Sequence, residues 1–104
     1  MDVRIRPLAD RDIDGHVAFL AEEARAAVAR RFIDALPRTL DSLADRPALG
    51  SPRHLRDPRL GGMRARPVAG FRKVLVIDLT LDDSVEVVRV LHGARDIPPL
   101  LEQA

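Results

Sequence analysis

The 104-residue sequence predicts a single α+β domain over residues 1–104, in which an N-terminal strand and an antiparallel helical hairpin pack on an antiparallel β-sheet. Two observations lead to this fold class. Apolar residues recur at helical spacing in the N-terminal half, whereas the C-terminal half holds apolar runs separated by turn residues. A composition of 46% apolar and 32% charged residues is typical of a folded domain and excludes a disordered chain.

The first two predicted elements are a strand and a helix. Residues 3–6 alternate apolar and basic side chains, which predicts a half-buried strand that ends at Pro7. The acidic segment Asp10–Asp12 then favours a helix N-terminus. An apolar stripe at helical spacing follows, formed by Ile13, Val17, Leu20 and Ala24. Because Gly15 weakens a helix by about 1 kcal/mol relative to alanine, we expect a short helix that depends on packing.

A second helix is predicted to begin near Ala26, where a broad apolar face starts. This face is formed by Val28, Phe32, Ala35, Leu36, Leu40 and Leu43. Pro37 lies inside the pattern, where it removes one backbone hydrogen bond and clashes with the carbonyl of Ile33, at a cost of about 3 kcal/mol. We therefore expect a kink at Pro37, or a break into two helices that keep the same apolar face.

The remainder of the chain predicts one long loop and three strands. Three prolines and three glycines mark Pro47–Gly62 as the loop. The strands follow at residues 63–66, 72–80 and 84–92. The run Val74–Ile77 is apolar and rich in β-branched residues, as expected of a central strand covered on both faces. The segment Leu81–Asp83 predicts a hairpin connection.

Strict alternation in the last strand assigns its side chains to two faces. One face would hold Val85, Val87, Arg89 and Leu91, and the other Glu86, Val88, Val90 and His92. Gly93 ends the strand.

Composition excludes several kinds of site. The chain contains no cysteine, which removes disulfides, zinc–thiolate sites and thiol nucleophiles. His16, His54 and His92 lie too far apart for metal-ligand spacing, and we expect no metal and no cofactor. No apolar run approaches the roughly 18 residues of a membrane span, and no signal-peptide pattern opens the chain. We expect a cytoplasmic protein without a membrane partner.

The formal net charge of +1 conceals a strongly basic segment. The segment from Arg53 to Lys73 contains seven basic residues and one acidic residue, which gives a local charge of +6. A basic block on a near-neutral domain predicts an anionic partner, either a nucleic acid or an acidic protein surface. The alternative is a solvated arginine-rich loop, in which His54 would also be solvated.

The most distinctive motif lies at the end of the last predicted strand. Residues 89–97 read RVLHGARDI, which resembles the end of the last strand in ParE-type toxins of bacterial type II toxin–antitoxin systems, within the RelE/ParE superfamily. The similarity extends over nearly the whole chain, through segments at Asp12–Ile13, Phe19–Glu22, Ala27–Ile33, Leu43–Ala44, Met63–Arg64 and Gly70–Val76. The resemblance implies a RelE/ParE-like fold, a helical hairpin on an antiparallel sheet, in agreement with the element order.

Two features depart from the family pattern. The family often carries tyrosine and then arginine late in the central strand, where this chain has Val74, Ile77, Asp78 and Leu79. The loop from Ser51 to Gly62 is also longer than usual. An activity that relied on aromatic stacking at the sheet would be lost with those aromatic residues. A non-toxic relic that only binds an antitoxin is therefore one alternative.

The resemblance implies one of two activities. ParE-like members bind DNA gyrase and stop replication, whereas RelE-like members cut messenger RNA on the ribosome, and a cognate antitoxin neutralises each. The chain has no tyrosine or tryptophan and three phenylalanines, which leaves few platforms for stacking RNA bases. We therefore predict a non-enzymatic, growth-arresting gyrase inhibitor of the plasmid-stabilisation kind. Its partner would be a ParD-like antitoxin, and no specific DNA binding is expected.

The candidate contacts with a target or an antitoxin are five basic residues and one histidine: Arg64, Arg66, Arg72, Lys73, His92 and Arg95. Arg64 and Arg66 share one strand face, whereas Arg72 and Lys73 lie on opposite faces. If the chain were instead a ribonuclease, His92, Arg64 and Arg89 would carry catalysis. Attack by a 2′-hydroxyl needs proton-transfer groups and cations beside the phosphate.

Structural roles are the competing interpretation of these residues. A strand arginine among valines needs a partner, and for Arg89 we expect an acid such as Glu86 or Asp96. His92 would bond a neighbouring backbone group, Arg95 and Asp96 would cap the turn, and His16 would pack on its helix.

Overall fold

The computed structural model describes residues 2–46, 51–52, 62–93 and 95–96. Its elements are β1 (Asp2–Ile5), α1 (Pro7–Glu23), α2 (Ala26–Asp45), β2 (Ser51–Pro52), β3 (Arg64–Val68), β4 (Phe71–Thr80) and β5 (Ser84–His92). This order confirms the predicted α+β fold and adds the two-residue strand β2. Most of the predicted loop Pro47–Gly62, including His54, lies outside the described residues.

The five strands form one sheet in the order β1-β5-β4-β3-β2. The β2–β3, β3–β4 and β4–β5 pairs are antiparallel, as predicted, but β1 pairs with β5 in parallel. The sheet is therefore mixed. Parallel neighbours need a long crossover connection, and the helical hairpin and the strands that follow it provide one here.

Helix α1 begins earlier and runs longer than predicted. Its first residue is Pro7, and it extends over 17 residues to Glu23. Proline suits the first helical position because its fixed φ matches the helix and its missing N–H has no intrahelical partner there. Pro7, which was predicted to stop the first strand, is thus the first residue of α1, and the acidic segment from Asp10 falls inside the first turns of the helix.

Helix α2 begins at Ala26, as predicted, and continues through Pro37 to Asp45. The predicted break at Pro37 is therefore wrong. Pro37 and Ile33 both lie on the exposed side of the helix. Water can bind the Ile33 carbonyl that loses its donor, which lowers the cost of an interior proline.

Two apolar cores lie on opposite faces of the sheet. Phe32 is fully buried in the helix-side core, where its ring meets Phe71 edge-to-face at 5.2 Å between centroids and His16 at 5.9 Å. The opposite core is formed by Met63, Ala65, Ile77, Val88 and Leu91. Because Val76 belongs to the first core and Ile77 to the second, β4 is buried on both faces, as predicted.

A β-bulge in β5 changes the predicted side-chain faces. The register passes from Asp78 opposite Val87 to Ile77 opposite Arg89, so Val88 is an extra residue on β5. Val85, Val87 and Val90 consequently share the helix-side core, whereas Val88 and Leu91 lie in the opposite core. The strict alternation predicted for this strand therefore holds through Val88 and fails beyond it, because one inserted residue reverses the faces of Val90 and Leu91.

Two tight turns connect the antiparallel strands. Leu81 N–H donates to the Ser84 carbonyl at 2.8 Å, which confirms the predicted β4–β5 hairpin. In the β3–β4 turn, Gly70 adopts φ +81°, a left-handed conformation that glycine takes without steric cost.

Candidate protein-binding site

Side chains of helix α1 bond the backbone of β5 beyond the point where β1 ends. Residues Asp2–Ile5 of β1 pair with residues 84–87 of β5, and the Arg6 N–H still donates to the Val87 carbonyl. Beyond this point Asp12 accepts the Val90 N–H at 3.0 Å, and His16 Nε2 donates to the Val90 carbonyl at 2.8 Å. Two side chains one helical turn apart thus replace a strand and leave no open β5 edge at Val90. His16 is a packed, hydrogen-bonded helix residue, as expected.

Arg89 is paired with Asp12 by two hydrogen bonds of 2.8 and 3.0 Å. The prediction that Arg89 is paired with an acid is confirmed, but the two acids named for it are not the partner, because Glu86 bonds Arg6 and Asp96 bonds Arg95. The side chain of Arg89 thus reaches α1 and not an acid on its own strand or in the following turn. The hydrogen bond with Asp12 raises the pKa of Arg89 above its ordinary value, so the guanidinium remains charged.

The residues after β5 form a compact turn of reciprocal hydrogen bonds. His92 N–H donates to Asp96 at 2.8 Å, and Arg95 N–H donates to His92 Nδ1 at 3.2 Å. The Arg95 guanidinium also bonds Asp96, which lowers the pKa of that carboxyl below its usual range. These contacts confirm that Asp96 caps the turn and that His92 bonds a neighbouring backbone group.

A cleft of about 530 Å³ lies between α1 and this turn. Its lining includes Arg11, Gly15 and Phe19 from α1, together with Leu91, Arg95 and Asp96. Phe19 is 50% exposed, and the Arg95 guanidinium lies 5.7 Å from the centre of its ring. An exposed aromatic ring beside arginines in a concave surface is typical of a protein-binding site.

The structure divides the predicted basic residues among three places. Arg95 lines the cleft, and the exposed residues Arg72 and Lys73 start β4 at the same end of the sheet, where Val74 is opposite His92. Arg64 lies opposite Asp78, farther along β4. Arg66 is buried with only 6% of its surface exposed, and it shares the face of Arg64 as predicted.

Arg66 fixes the end of α2 to the sheet. Its guanidinium donates to Ser42 Oγ at 2.9 Å and to the Arg46 carbonyl at 2.8 Å, one of the carbonyls left open at the helix C-terminus. We expect Arg66→Met to lower the free energy of unfolding by about 2 kcal/mol, because both bonds are lost at similar side-chain bulk. Urea denaturation measures this change, with the exposed Arg72→Met as a control that stays within about 0.5 kcal/mol. Equal stability of the two variants would contradict this role.

Sequence reasoning missed Arg11 and Phe19 as site residues. Phe19 precedes the motif at residues 89–97 by 70 positions and Arg11 precedes it by 78, and only the packing of α1 against β5 brings them together. One signal was present, since Phe19 lies outside the apolar stripe of α1. Among the described residues, no group of three acidic or histidine side chains could hold a metal ion. None of the described helices is long and apolar enough to cross a membrane.

Comparison with known families gives a match over most of the chain. The model for the ParE toxin of the type II toxin–antitoxin system parDE matches residues 3–97. The chain belongs to the ParE toxin family. A search of curated proteins found no match.

Two solved structures resemble this ParE-family fold. The first is the chromosomal ParDE toxin–antitoxin system from P. aeruginosa, with a TM-score of 0.70 and 13% identity over 88% of this chain and 95% of the other. The second is the YoeB–YefM complex from Staphylococcus aureus, with a TM-score of 0.54 and 12% identity over 86% and 93% of the two chains. Identities this low relate the folds alone, and both structures confirm a RelE/ParE-like fold.

Proposed function

We propose that this ParE-family toxin acts by binding a protein target, DNA gyrase, and thereby stops replication without catalysis. The observation that supports this proposal is the cleft between α1 and the end of β5, in which Phe19 and Arg95 are both accessible. Aromatic and arginine side chains contribute most of the affinity at many protein interfaces. The exposed Arg72 and Lys73 at the same end of the sheet would extend the contact to an acidic surface.

The placement of the ribonuclease candidates argues against RNA cleavage. Arg64 lies opposite Asp78 of β4, whereas His92 lies opposite Val74. These two positions on β4 are four residues apart, so Arg64 and His92 are separated by roughly 14 Å along the strand direction. Arg89 is held by Asp12, and His92 Nδ1 accepts a backbone hydrogen bond. A general base and the cations that it needs would have to converge within hydrogen-bond reach of one phosphate, which these three residues do not do.

A ParD-like antitoxin is the proposed partner that neutralises the toxin. The two similar structures are described as toxin–antitoxin assemblies, which supports the same arrangement here. The described part of the chain also exposes large apolar side chains at Ile5, Leu8, Phe19, Ile33 and Leu81, which a partner helix or strand could cover. Co-expression with the product of the adjacent reading frame should give a stable complex. Separate elution of the two proteins would contradict this proposal.

A supercoiling assay tests the target and the cleft together. We expect micromolar wild-type protein to inhibit gyrase, and Phe19→Ala with Arg95→Ala to weaken inhibition at least tenfold, which corresponds to about 1.4 kcal/mol of binding free energy. Arg30→Ala is a matched control, because Arg30 is exposed on α2 and does not line the cleft. Inhibition by the double variant equal to wild type would exclude the cleft. No inhibition by wild type would exclude gyrase, and ribosome-dependent RNA cleavage would then be measured with His92→Ala.

A further inference from the structure

Asp78 is a buried carboxylic acid in the middle of the sheet. It lies on β4 opposite Arg64 of β3 and Val87 of β5, and none of its surface is exposed. Within the part of the chain that the structure describes, neither carboxylate oxygen accepts a hydrogen bond. An ionised carboxylate in such a place lacks both water and donors, and its charged form is therefore disfavoured.

The charged groups near Asp78 oppose this effect only in part. Arg64 and Arg66 lie on the same face of β3 and favour the ionised carboxylate, whereas Val87 on β5 is apolar. From α2, Ser42 Oγ and the Arg46 carbonyl already accept hydrogen bonds from Arg66. Burial outweighs the two arginines and raises the pKa of Asp78 from 3.8 to about 6.

We propose that Asp78 is a proton-binding site that makes this fold more stable at mildly acidic pH than at neutral pH. At pH 7 the folded chain holds a buried negative charge that Arg64 and Arg66 stabilise only in part. Asp78 therefore acts as a pH-responsive element within the sheet, separate from the cleft between α1 and β5.

The direction in which stability changes with pH follows from the pKa of Asp78 in the folded chain and its pKa in the unfolded chain. Between pH 4 and pH 6 the folded chain holds this proton and the unfolded chain has released it. The folded state thus binds more protons in this window, and stability falls as the pH rises through it. The pKa of Asp78 differs by about two units between the folded and the unfolded chain, which corresponds to about a hundredfold decrease in the folding equilibrium constant as the pH rises. The decrease is complete above pH 7, where Asp78 is ionised in both states.

Urea denaturation of wild type and Asp78→Asn between pH 4 and pH 7 tests this proposal. Asparagine imitates the protonated acid, so we expect the variant to have a folding constant about a hundredfold above wild type at pH 7 and similar to it at pH 4. Asp41→Asn makes the same change on the exposed face of α2 and should parallel wild type throughout. A ratio of variant to wild type that stays constant with pH would overturn the proposal.

A second measurement keeps the proposal testable if Asp78→Asn does not fold. Carbon-13 NMR of the side-chain carboxyls follows the titration of Asp78 in the wild-type chain, with Asp41→Asn to help assign the exposed carboxyls. A resonance that titrates near pH 6 supports the proposal. Titration of Asp78 at or below pH 4 would overturn it.

Discussion

Phe32→Ala is expected to lower the free energy of unfolding by about 4 kcal/mol. The Phe32 ring is fully buried between α2 and the sheet, and it contacts the rings of His16 and Phe71. Removing it leaves a cavity that three separate elements would have to fill. Because domains of this size are stable by only about 5–15 kcal/mol, the variant should melt at least 15 °C below wild type.

Phe19→Ala is the matched control for this substitution. It deletes the same atoms from a ring that is 50% exposed, so we expect a change of no more than about 1 kcal/mol. Thermal unfolding followed by circular dichroism measures both variants. Similar melting temperatures for Phe32→Ala and Phe19→Ala would contradict the described core.

Asp12→Ala is expected to lower the free energy of unfolding by about 3 kcal/mol. Asp12 accepts two hydrogen bonds from Arg89 and one from the Val90 N–H. Its removal leaves a partly buried guanidinium and a backbone donor without their acceptor, and it opens the β5 edge beside α1. Urea denaturation reports the loss, and hydrogen exchange at the Val90 amide should accelerate.

Asp14→Ala provides the comparison on the same helix. Asp14 is exposed two residues away, and we expect its removal to change stability by about 0.5 kcal/mol or less. If Asp12→Ala were as stable as Asp14→Ala, the edge of β5 would not depend on α1.

The fold could be predicted from periodicity because most of its elements obey one simple pattern. The start of α2 at Ala26 and the span of β5 from Ser84 to His92 follow directly from apolar spacing and turn residues. The start of α1 at Pro7 was missed and the break at Pro37 was wrongly predicted, because the effect of a proline depends on its position in the helix and on whether the freed carbonyl reaches water.

The site was harder to predict because its contacts join distant parts of the sequence. The motif at residues 89–97 identified one wall of the cleft. The bulge at Val88, however, changes which residues of β5 face the helices beyond it, and a single inserted residue leaves no trace in a run of valines. Arg89 has Asp12 as its partner, 77 positions away, and not a neighbour on its own strand.

Asp78, in contrast to the cleft, stands out in the sequence itself. An acid that follows the apolar run Val74–Ile77 conflicts with local patterning, and the structure keeps it fully buried. Such conflicts concentrate at functional or strained positions in natural proteins.

Pulse labelling after induced expression in a bacterial host tests the central claim most directly. A ParE-family chain that blocks gyrase should reduce thymidine incorporation before methionine incorporation, because replication stops while translation continues. Co-expression of the antitoxin should restore both. An earlier fall in methionine incorporation would contradict the account and point to the ribosome, and unchanged incorporation of both labels would show that the chain is not toxic.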